Sequence, residues 1–189
     1  METLSLVFSI SMVMWILSEV IYKQTLKSGS GDKKDKDKST LNMLWIVFLL
    51  SIAAAVTISY RSKFPIVESI WIKYLGEFLI LAGIVLRFII IRTLGKYFTV
   101  DVTIKQDHTI KKEGFYSLIR HPSYSASLLT FLGLGIYLNN WISLILAFIP
   151  PLLAFGYRIK VEEQALIEQF GEEYMEYMKS TKRIIPFVY

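Results

Sequence analysis

Two charged residues, Arg158 and Glu162, share a helical face with apolar residues. Leu166 and Phe170 continue the same four-residue step. Because those two apolar side chains are expected to pack against the protein, the spacing predicts that Arg158 and Glu162 point inward at the membrane edge. A guanidinium fork can hold a carboxylate in a fixed plane. The alternative is a surface ion pair worth about 0.5 kcal/mol or less. Glu163 is expected to stay in water.

A second group of polar residues precedes a proline. A residue before proline avoids the helical region, and proline suits the first helical position, so a helix is predicted to begin at Pro122. Arg120 and His121 then lie at its positive end, which is a natural anion site. An interface anchor, with Arg120 on a lipid phosphate and Tyr124 among interfacial aromatics, explains the same residues. Position alone leaves both interpretations open.

The composition limits the class of protein that carries these residues. The chain has 189 residues, of which 53% are hydrophobic, and its net charge is +5. The absence of cysteine excludes disulfides, thiolate metal sites and a cysteine nucleophile, and two histidines leave little for a metal centre. We predict no metal site and no nucleic-acid partner. An integral membrane protein fits this composition best.

Apolar runs predict an all-α membrane protein with about five transmembrane helices. The first two runs have the roughly 20 residues that cross about 30 Å of hydrocarbon. The third run is a candidate although it holds three charged residues, and the last two runs are shorter and form a helical hairpin. The predicted spans are residues 3–22, 41–59, 70–91, 123–138 and 141–157. Glu19 and Arg87 are expected to reach water near span ends, and Lys73 to pair with Glu77.

The distribution of lysine and arginine orients these spans. Six lysines lie in residues 23–40, and further cations cluster in residues 92–122 and in the tail, residues 158–189. The positive-inside rule therefore places the N-terminus outside and these three segments in the cytosol, most simply at the cell membrane. The first loop is expected to be a solvated linker, the alternative being a site for anionic lipid. The chain is expected to form one domain, residues 1–189.

The cytosolic segments are expected to form a small cap. Apolar and polar residues alternate over residues 98–105, which predicts a short strand followed by a turn. The tail is predicted to be an amphipathic helix. Residues 92–122 and 158–189 together are thus the candidate functional region.

The motifs in this region resemble the isoprenylcysteine carboxyl methyltransferase family. EGFYSLIRHPSY is followed, after the helical hairpin, by RIKVEEQALIEQFGEEYMEY and then by Arg183-Ile184-Ile185-Pro186. The resemblance covers residues 97–186, and the short N-terminal half suggests a prokaryotic-type member. It implies a cytosolic S-adenosylmethionine site without a Rossmann fold, and the chain has no G-x-G-x-x-G motif after a strand.

The resemblance also assigns roles to individual residues. It places Arg158 beside the substrate carboxylate and Glu162 at the cofactor, and we take these two as the candidate catalytic residues. Asp101 stands where relatives can have glutamine, which leaves that contact open. The remaining cofactor contacts are carried over to His108, Thr109, Ile110, Lys111, Tyr116, His121, Pro122, Ser123 and Tyr124.

The implied activity is carboxyl O-methylation of a lipophilic, isoprenylcysteine-like acceptor within membrane lipids. A carboxyl group, with a pKa of about 4, is already ionised at neutral pH and needs no general base. N-methylation of a phospholipid head group is the alternative enzyme activity, although a cation at Arg158 would hinder an amine acceptor. A membrane scaffold or transporter subunit is the non-enzymatic alternative, and it leaves the motifs unexplained.

Overall fold

The structure is a computed structural model that describes residues 2–25, 38–95 and 109–185. Within these ranges a short 3-10 helix, Gly114–Ser117, and a single parallel bridge between Ile119 and Lys182 accompany the helices. The predicted strand at residues 98–105 lies outside the described residues. The prediction of an all-α fold is confirmed. The α-helices are Glu2–Thr25 (α1), Lys38–Arg61 (α2), Trp71–Leu94 (α3), Pro122–Tyr137 (α4), Trp141–Phe170 (α5) and Glu172–Ser180 (α6).

The helices have the length and surface of an integral membrane protein. By length and composition, α1, α2, α3 and α5 can each cross a membrane. The helix α4 has 16 residues, as expected for the shorter arm of a hairpin. Large apolar side chains such as Leu17, Leu50 and Phe78 are exposed on the outer faces of α1, α2 and α3. Lipid, rather than water, is the environment that suits these faces.

The fifth helix is longer than its predicted span. The apolar run ends at residue 157, but α5 continues without a break to Phe170. Charge does not end a helix, and residues 158–170 contain neither glycine nor proline. The helix ends where Gly171 takes a positive φ of 54°, a conformation that glycine adopts freely. Arg158 and Glu162 therefore stand on the direct extension of a membrane span.

Glycines bring α3 and α4 into backbone contact. A Cβ added to Gly76 would lie 2.4 Å from the Tyr137 backbone nitrogen, and one added to Gly133 would lie 2.7 Å from that of Ile80. Such distances are too short for any real Cβ, so only glycine permits this approach. His121 and Tyr124 lie at the start of α4, so the close packing of α3 and α4 positions these two candidate site residues.

The helices α2 and α5 run antiparallel, as hydrogen bonds at both ends show. Near one end, Ser143 Oγ donates to the Ala55 carbonyl at 2.7 Å. At the other end, Arg158 Nη1 donates to Thr40 Oγ1 at 3.0 Å. The Asn140 side chain caps α5 by accepting from the backbone nitrogen of Ser143 at 3.1 Å. We call the end of the bundle that holds Thr40 and Arg158 the site end.

Charged residues within the spans pair between helices rather than reach for water. Arg87 makes a bidentate ion pair with Glu19, with nitrogen–oxygen distances of 2.5 and 2.9 Å. Ser11 donates to Glu77 at 2.6 Å, and Lys73 lies over the Tyr137 ring. The expected Lys73–Glu77 pair and the expected solvation of Arg87 are therefore wrong. A buried charge needs a partner, and helices brought together in the fold supply it.

Candidate functional site

The start of α4 presents two aromatic side chains at the site end. Pro122 is the first helical residue, as predicted, and His121 lies just outside the helix with φ −122° and ψ 56°. The rings of His121 and Tyr124 stack with their centroids 5.6 Å apart. Tyr124 also packs on Phe155 of α5, with a centroid distance of 4.8 Å. The turn before Pro122 thus directs both rings toward α5.

Arg158 and Glu162 point inward and meet at Tyr124. Arg158 is 2% exposed, and its Nε donates to the Tyr124 hydroxyl at 3.0 Å. The same hydroxyl donates to Glu162 Oε2 at 2.8 Å. The tyrosine therefore bridges the two charged side chains, which the helical spacing alone did not predict. Because Arg158 is buried, the alternative of a solvent-exposed ion pair is wrong.

The first turn of α2 supplies a further ligand to Arg158. Thr40 is 6% exposed, and its hydroxyl accepts the hydrogen bond from Nη1. The two residues are 118 positions apart in the chain, so no sequence motif joins them. The guanidinium group is thus held at Nε by α4 and at Nη1 by α2.

His121 lies between two glutamates. Its Nδ1 is 3.7 Å from Glu162 Oε2, and its Nε2 is 3.4 Å from Glu163 Oε1. Nε2 is buried and makes no hydrogen bond among the described residues. The ring therefore links the outer glutamate of the site to a second, fully buried carboxylate.

Glu163 is the buried centre of an ion-pair cluster. Its two oxygens accept from Arg120 Nε at 2.8 Å and from Arg183 Nε at 2.9 Å. Its side chain is only 4% exposed, so the expectation that it stays in water is wrong. The helical step of about 100° turns Glu163 away from the face of Glu162 and toward the segment before α4. The same contact removes Arg120 from both of its expected roles, as an anion ligand and as a lipid anchor.

A C-terminal strap, residues 181–185, closes this side of the site. The backbone N–H of Arg120 donates to the Lys182 carbonyl at 2.8 Å, and that of His121 donates to Arg183 at 3.0 Å. Arg120 Nη1 also donates to the Thr181 carbonyl. The two backbone N–H groups that immediately precede α4 are therefore satisfied by the chain itself.

Pro122 and Ser123 are buried, and Ser123 is bound by an arginine of α3. Arg87 Nη1 donates to Ser123 Oγ at 2.5 Å and to its carbonyl at 3.1 Å. Arg87 also forms the ion pair with Glu19, so contacts from α1, α3 and α4 meet beneath the first turn of α4. The sequence analysis did not predict this role for Arg87. The available signal was that Arg87 and Glu19 carry opposite charges in two different predicted spans.

Tyr116 lies buried in the 3-10 helix beside the site. Burial, together with the charge of Glu162 and the nearby Tyr177, raises the pKa of the Tyr116 hydroxyl above its ordinary value. The Tyr116 carbonyl accepts the Tyr177 hydroxyl at 2.5 Å, and burial raises the pKa of Tyr177 to about 12. Both hydroxyls stay protonated at neutral pH, and this contact docks α6 against the site.

The remaining predicted contacts lie further along the chain. His108 is outside the described residues. Lys111 donates to the Thr93 carbonyl at the end of α3, away from Arg158 in the chain's described contacts. A cavity of about 740 Å³ between Ser117 and α6 includes none of the predicted site residues in its lining. Within the described ranges, no three His, Cys, Asp or Glu side chains are grouped to hold a metal.

Comparisons with known proteins place the chain in a family. A sequence model of the isoprenylcysteine carboxyl methyltransferase family matches residues 75–168. The chain is 37% identical over 120 residues to protein-S-isoprenylcysteine O-methyltransferase B of Arabidopsis thaliana, covering 62% of this chain and 61% of that protein. It is 30% identical over 145 residues to the probable protein-S-isoprenylcysteine O-methyltransferase of Oryza sativa subsp. indica, covering 75% and 76%. The match to the Arabidopsis protein thus leaves more than a third of that relative's length without a counterpart.

A solved structure shows the same fold. It is that of the eukaryotic intramembrane Ras methyltransferase, isoprenylcysteine carboxyl methyltransferase, with a TM-score of 0.64 and 29% sequence identity. The likeness covers 78% of this chain and 53% of that one. The fold is thus that of an integral membrane protein similar to this intramembrane methyltransferase. The chain belongs to the isoprenylcysteine carboxyl methyltransferase family.

Proposed function

We propose that the protein is an S-adenosylmethionine-dependent membrane methyltransferase that esterifies the carboxylate of a lipophilic, isoprenylcysteine-like acceptor. The observation that carries this proposal is the buried Arg158, held at Nε by Tyr124 and at Nη1 by Thr40. A buried, oriented guanidinium suits a carboxylate acceptor. The names of the relatives support the same acceptor class.

Different residues of the site are proposed to bind the acceptor and the cofactor. Bound S-adenosylmethionine supplies a methyl group on a positively charged sulfur. Arg158 fixes the plane of the acceptor carboxylate, so that one oxygen faces that methyl group. Glu162, whose side chain is about a third exposed, would hold the cationic cofactor through its negative charge, together with the Tyr124 ring. No residue has to remove a proton, because the acceptor is ionised at neutral pH.

The cofactor site is proposed to extend from α4 into the preceding segment. The donor set fits a cationic ligand, since a partly exposed carboxylate lies among stacked aromatic rings. Pro122 is buried at the turn, and Ser123 is bound there by Arg87. His121 and Tyr124 face Glu162. We propose the full set of cofactor contacts as His108, Thr109, Ile110, Lys111, Tyr116, His121, Pro122, Ser123, Tyr124 and Glu162.

The placement in the membrane is part of the proposal. The site end carries the cationic segments, so the positive-inside rule puts it on the cytosolic side and the N-terminus outside. We propose that residues 1–189 form one domain in the cell membrane. A prenylated acceptor would then enter from the lipid and offer its carboxylate at the cytosolic boundary.

An amine acceptor in a phospholipid head group is the competing activity. A guanidinium beside the acceptor would repel the protonated amine and would supply no base, so Arg158 argues against it. The two products differ chemically, because alkali hydrolyses a methyl ester and leaves an N-methyl group intact. Treating the labelled product with alkali therefore separates the two activities in one step.

The test uses purified protein in detergent with methyl-labelled S-adenosylmethionine and a prenylated cysteine. We expect alkali-labile label in the lipid product and calorimetric binding of the cofactor that weakens in His121→Ala. Arg158→Lys should lower turnover roughly tenfold or more while cofactor binding survives, because an ammonium lacks the planar fork. Near-normal turnover in this variant would remove Arg158 from the mechanism. Failure of the folded wild-type protein to bind the cofactor would overturn the proposal.

A further inference from the structure

We propose that Thr40 is a positioning residue for Arg158 and thereby sets how the acceptor carboxylate is held. This inference rests on the proposed function. Thr40 lies outside residues 75–168, the part of the chain that the family model matches. It belongs to the first turn of α2, so the N-terminal half of the chain completes the site.

The contact joins two buried groups. Arg158 is 2% exposed and Thr40 is 6% exposed, and Nη1 lies 3.0 Å from the threonine hydroxyl oxygen. A hydrogen bond to a charged group is stronger than one between neutral groups, and burial shields it from water. The hydroxyl of Thr40 is therefore a fixed acceptor for one edge of the guanidinium.

Two attachment points restrain a planar group more than one does. The hydrogen bond from Nε to the Tyr124 hydroxyl restrains the guanidinium on the side of α4. The second bond at Nη1 comes from a different helix and fixes the orientation of the plane. Because a carboxylate binds an arginine within that plane, a tilt would misplace the reacting oxygen.

Threonine is suited to this role by its shape. Its branched Cβ limits the side chain to few rotamers in a helix, so the hydroxyl keeps its direction. Serine carries the same hydroxyl with more rotational freedom. Valine keeps the shape and the branch but removes the acceptor.

The chain offers a matched control at the opposite end of the same helix pair. Ser143 of α5 donates to the Ala55 carbonyl of α2 at 2.7 Å, and Ser143 is fully buried. This bond also joins α2 and α5 through a buried hydroxyl, but it makes no contact with Arg158. A loss that arises only from weaker α2–α5 packing should therefore appear in Ser143→Ala as well.

The experiment measures kcat, KM for a prenylated cysteine, cofactor affinity and the thermal midpoint in detergent. For Thr40→Val we expect kcat/KM to fall roughly tenfold, with cofactor affinity unchanged. Thr40→Ser should recover most of the loss. Ser143→Ala should lower the thermal midpoint and leave kcat/KM near the wild-type value. If Thr40→Val does not fold, Thr40→Ala removes the same acceptor with less bulk.

A double-mutant cycle tests whether the effect passes through Arg158. In the Arg158→Lys background, Thr40→Val should change kcat/KM little further, because the group to be positioned is already lost. Additive losses, or a Thr40→Val profile that matches Ser143→Ala, would overturn the inference. An inactive wild-type protein would instead reject the proposed function. An active wild type with an unaffected Thr40→Val would reject the role of Thr40 alone.

Discussion

Glu162 and Glu163 are neighbours in the chain, yet they belong to different parts of the molecule. Glu162 is about a third exposed and accepts one hydrogen bond from Tyr124. Glu163 is 4% exposed and pairs with Arg120 and Arg183. One carboxylate is open to a ligand, and the other is fully used by the protein. A helical step of about 100° is sufficient to separate a partly exposed carboxylate from a buried, paired one.

His121 is where the two regions meet. One of its ring nitrogens faces Glu162 and the other faces Glu163. The buried cluster therefore lies against one edge of the imidazole, and the ring stacks on Tyr124. The difference between the two glutamates shows that an acidic residue near a site needs its partners identified before it is given a function.

Glu163→Gln should have the largest effect on stability. The substitution removes the negative charge between Arg120 and Arg183 and leaves a buried guanidinium without its counter-ion, at a cost of about 3–5 kcal/mol. For a chain of this size that corresponds to a thermal midpoint lower by roughly 10 °C. A fluorescence melt in detergent measures it. A midpoint close to the wild-type value would show that the cluster does not stabilise the fold.

Glu162→Gln should give the opposite pattern. The amide keeps the size and can still accept from Tyr124, so the thermal midpoint should change little. Cofactor affinity should fall about tenfold, because the sulfonium loses its nearby negative charge. Calorimetric titration beside the same melt measures both quantities. Equal loss of stability in the two glutamine variants would erase the distinction between the two regions.

Tyr177 of α6, which lies next to the strap in the chain, predicts a pH dependence of stability. The pKa of Tyr177 is raised to about 12 from an ordinary 10.0, so the folded protein holds this proton more tightly than the unfolded chain. Its contribution to stability is therefore complete below pH 10 and is lost as the pH rises toward 12. Tyr177→Phe should reduce the fall of the thermal midpoint over that interval. An identical fall in the variant would contradict the assignment.

Glu176→Gln should have the smallest effect. Glu176 pairs with Lys179 at 2.7 Å, but both side chains are 73% exposed. Water and salt screen such a pair, so the thermal midpoint and the cofactor affinity should both match those of the wild type. This variant is the control for loss of a glutamate charge as such. A clear change in either quantity would mean that charge near α6, rather than burial, decides the behaviour of Glu163.

Much of the fold follows from patterns within short segments. Apolar runs located the membrane helices, and Pro122 marked the start of α4. The four-residue step also predicted that Arg158 and Glu162 face the protein; Arg158 is buried, and Glu162, although about a third exposed, shares the Tyr124 hydroxyl with it. These predictions succeed because helical periodicity and the length of a span are local properties. The tail was predicted to be helical, but its continuity with the fifth span as a single helix that ends at Phe170 was not predicted.

The contacts that define the site come from residues distant in the chain. Thr40 reaches Arg158 from 118 positions away, and the partners of Glu163 lie before α4 and after α6. Which of two adjacent glutamates becomes buried depends on where those segments pack. No periodicity within α5 contains that information, so the buried cluster could not be predicted from the pattern alone.

The strap of residues 181–185 has a consequence for how the protein is made. It supplies the carbonyl groups that satisfy the N–H groups of Arg120 and His121, and it contributes Arg183 to Glu163. A ribosome produces this segment after every helix described above, because synthesis proceeds from the N-terminus. The bundle can therefore enter the membrane and pack before the strap binds Arg120, His121 and Glu163. Docking of the strap is a late event in biogenesis, and a ribosome stalled after α6 would leave a membrane-inserted protein that lacks these contacts.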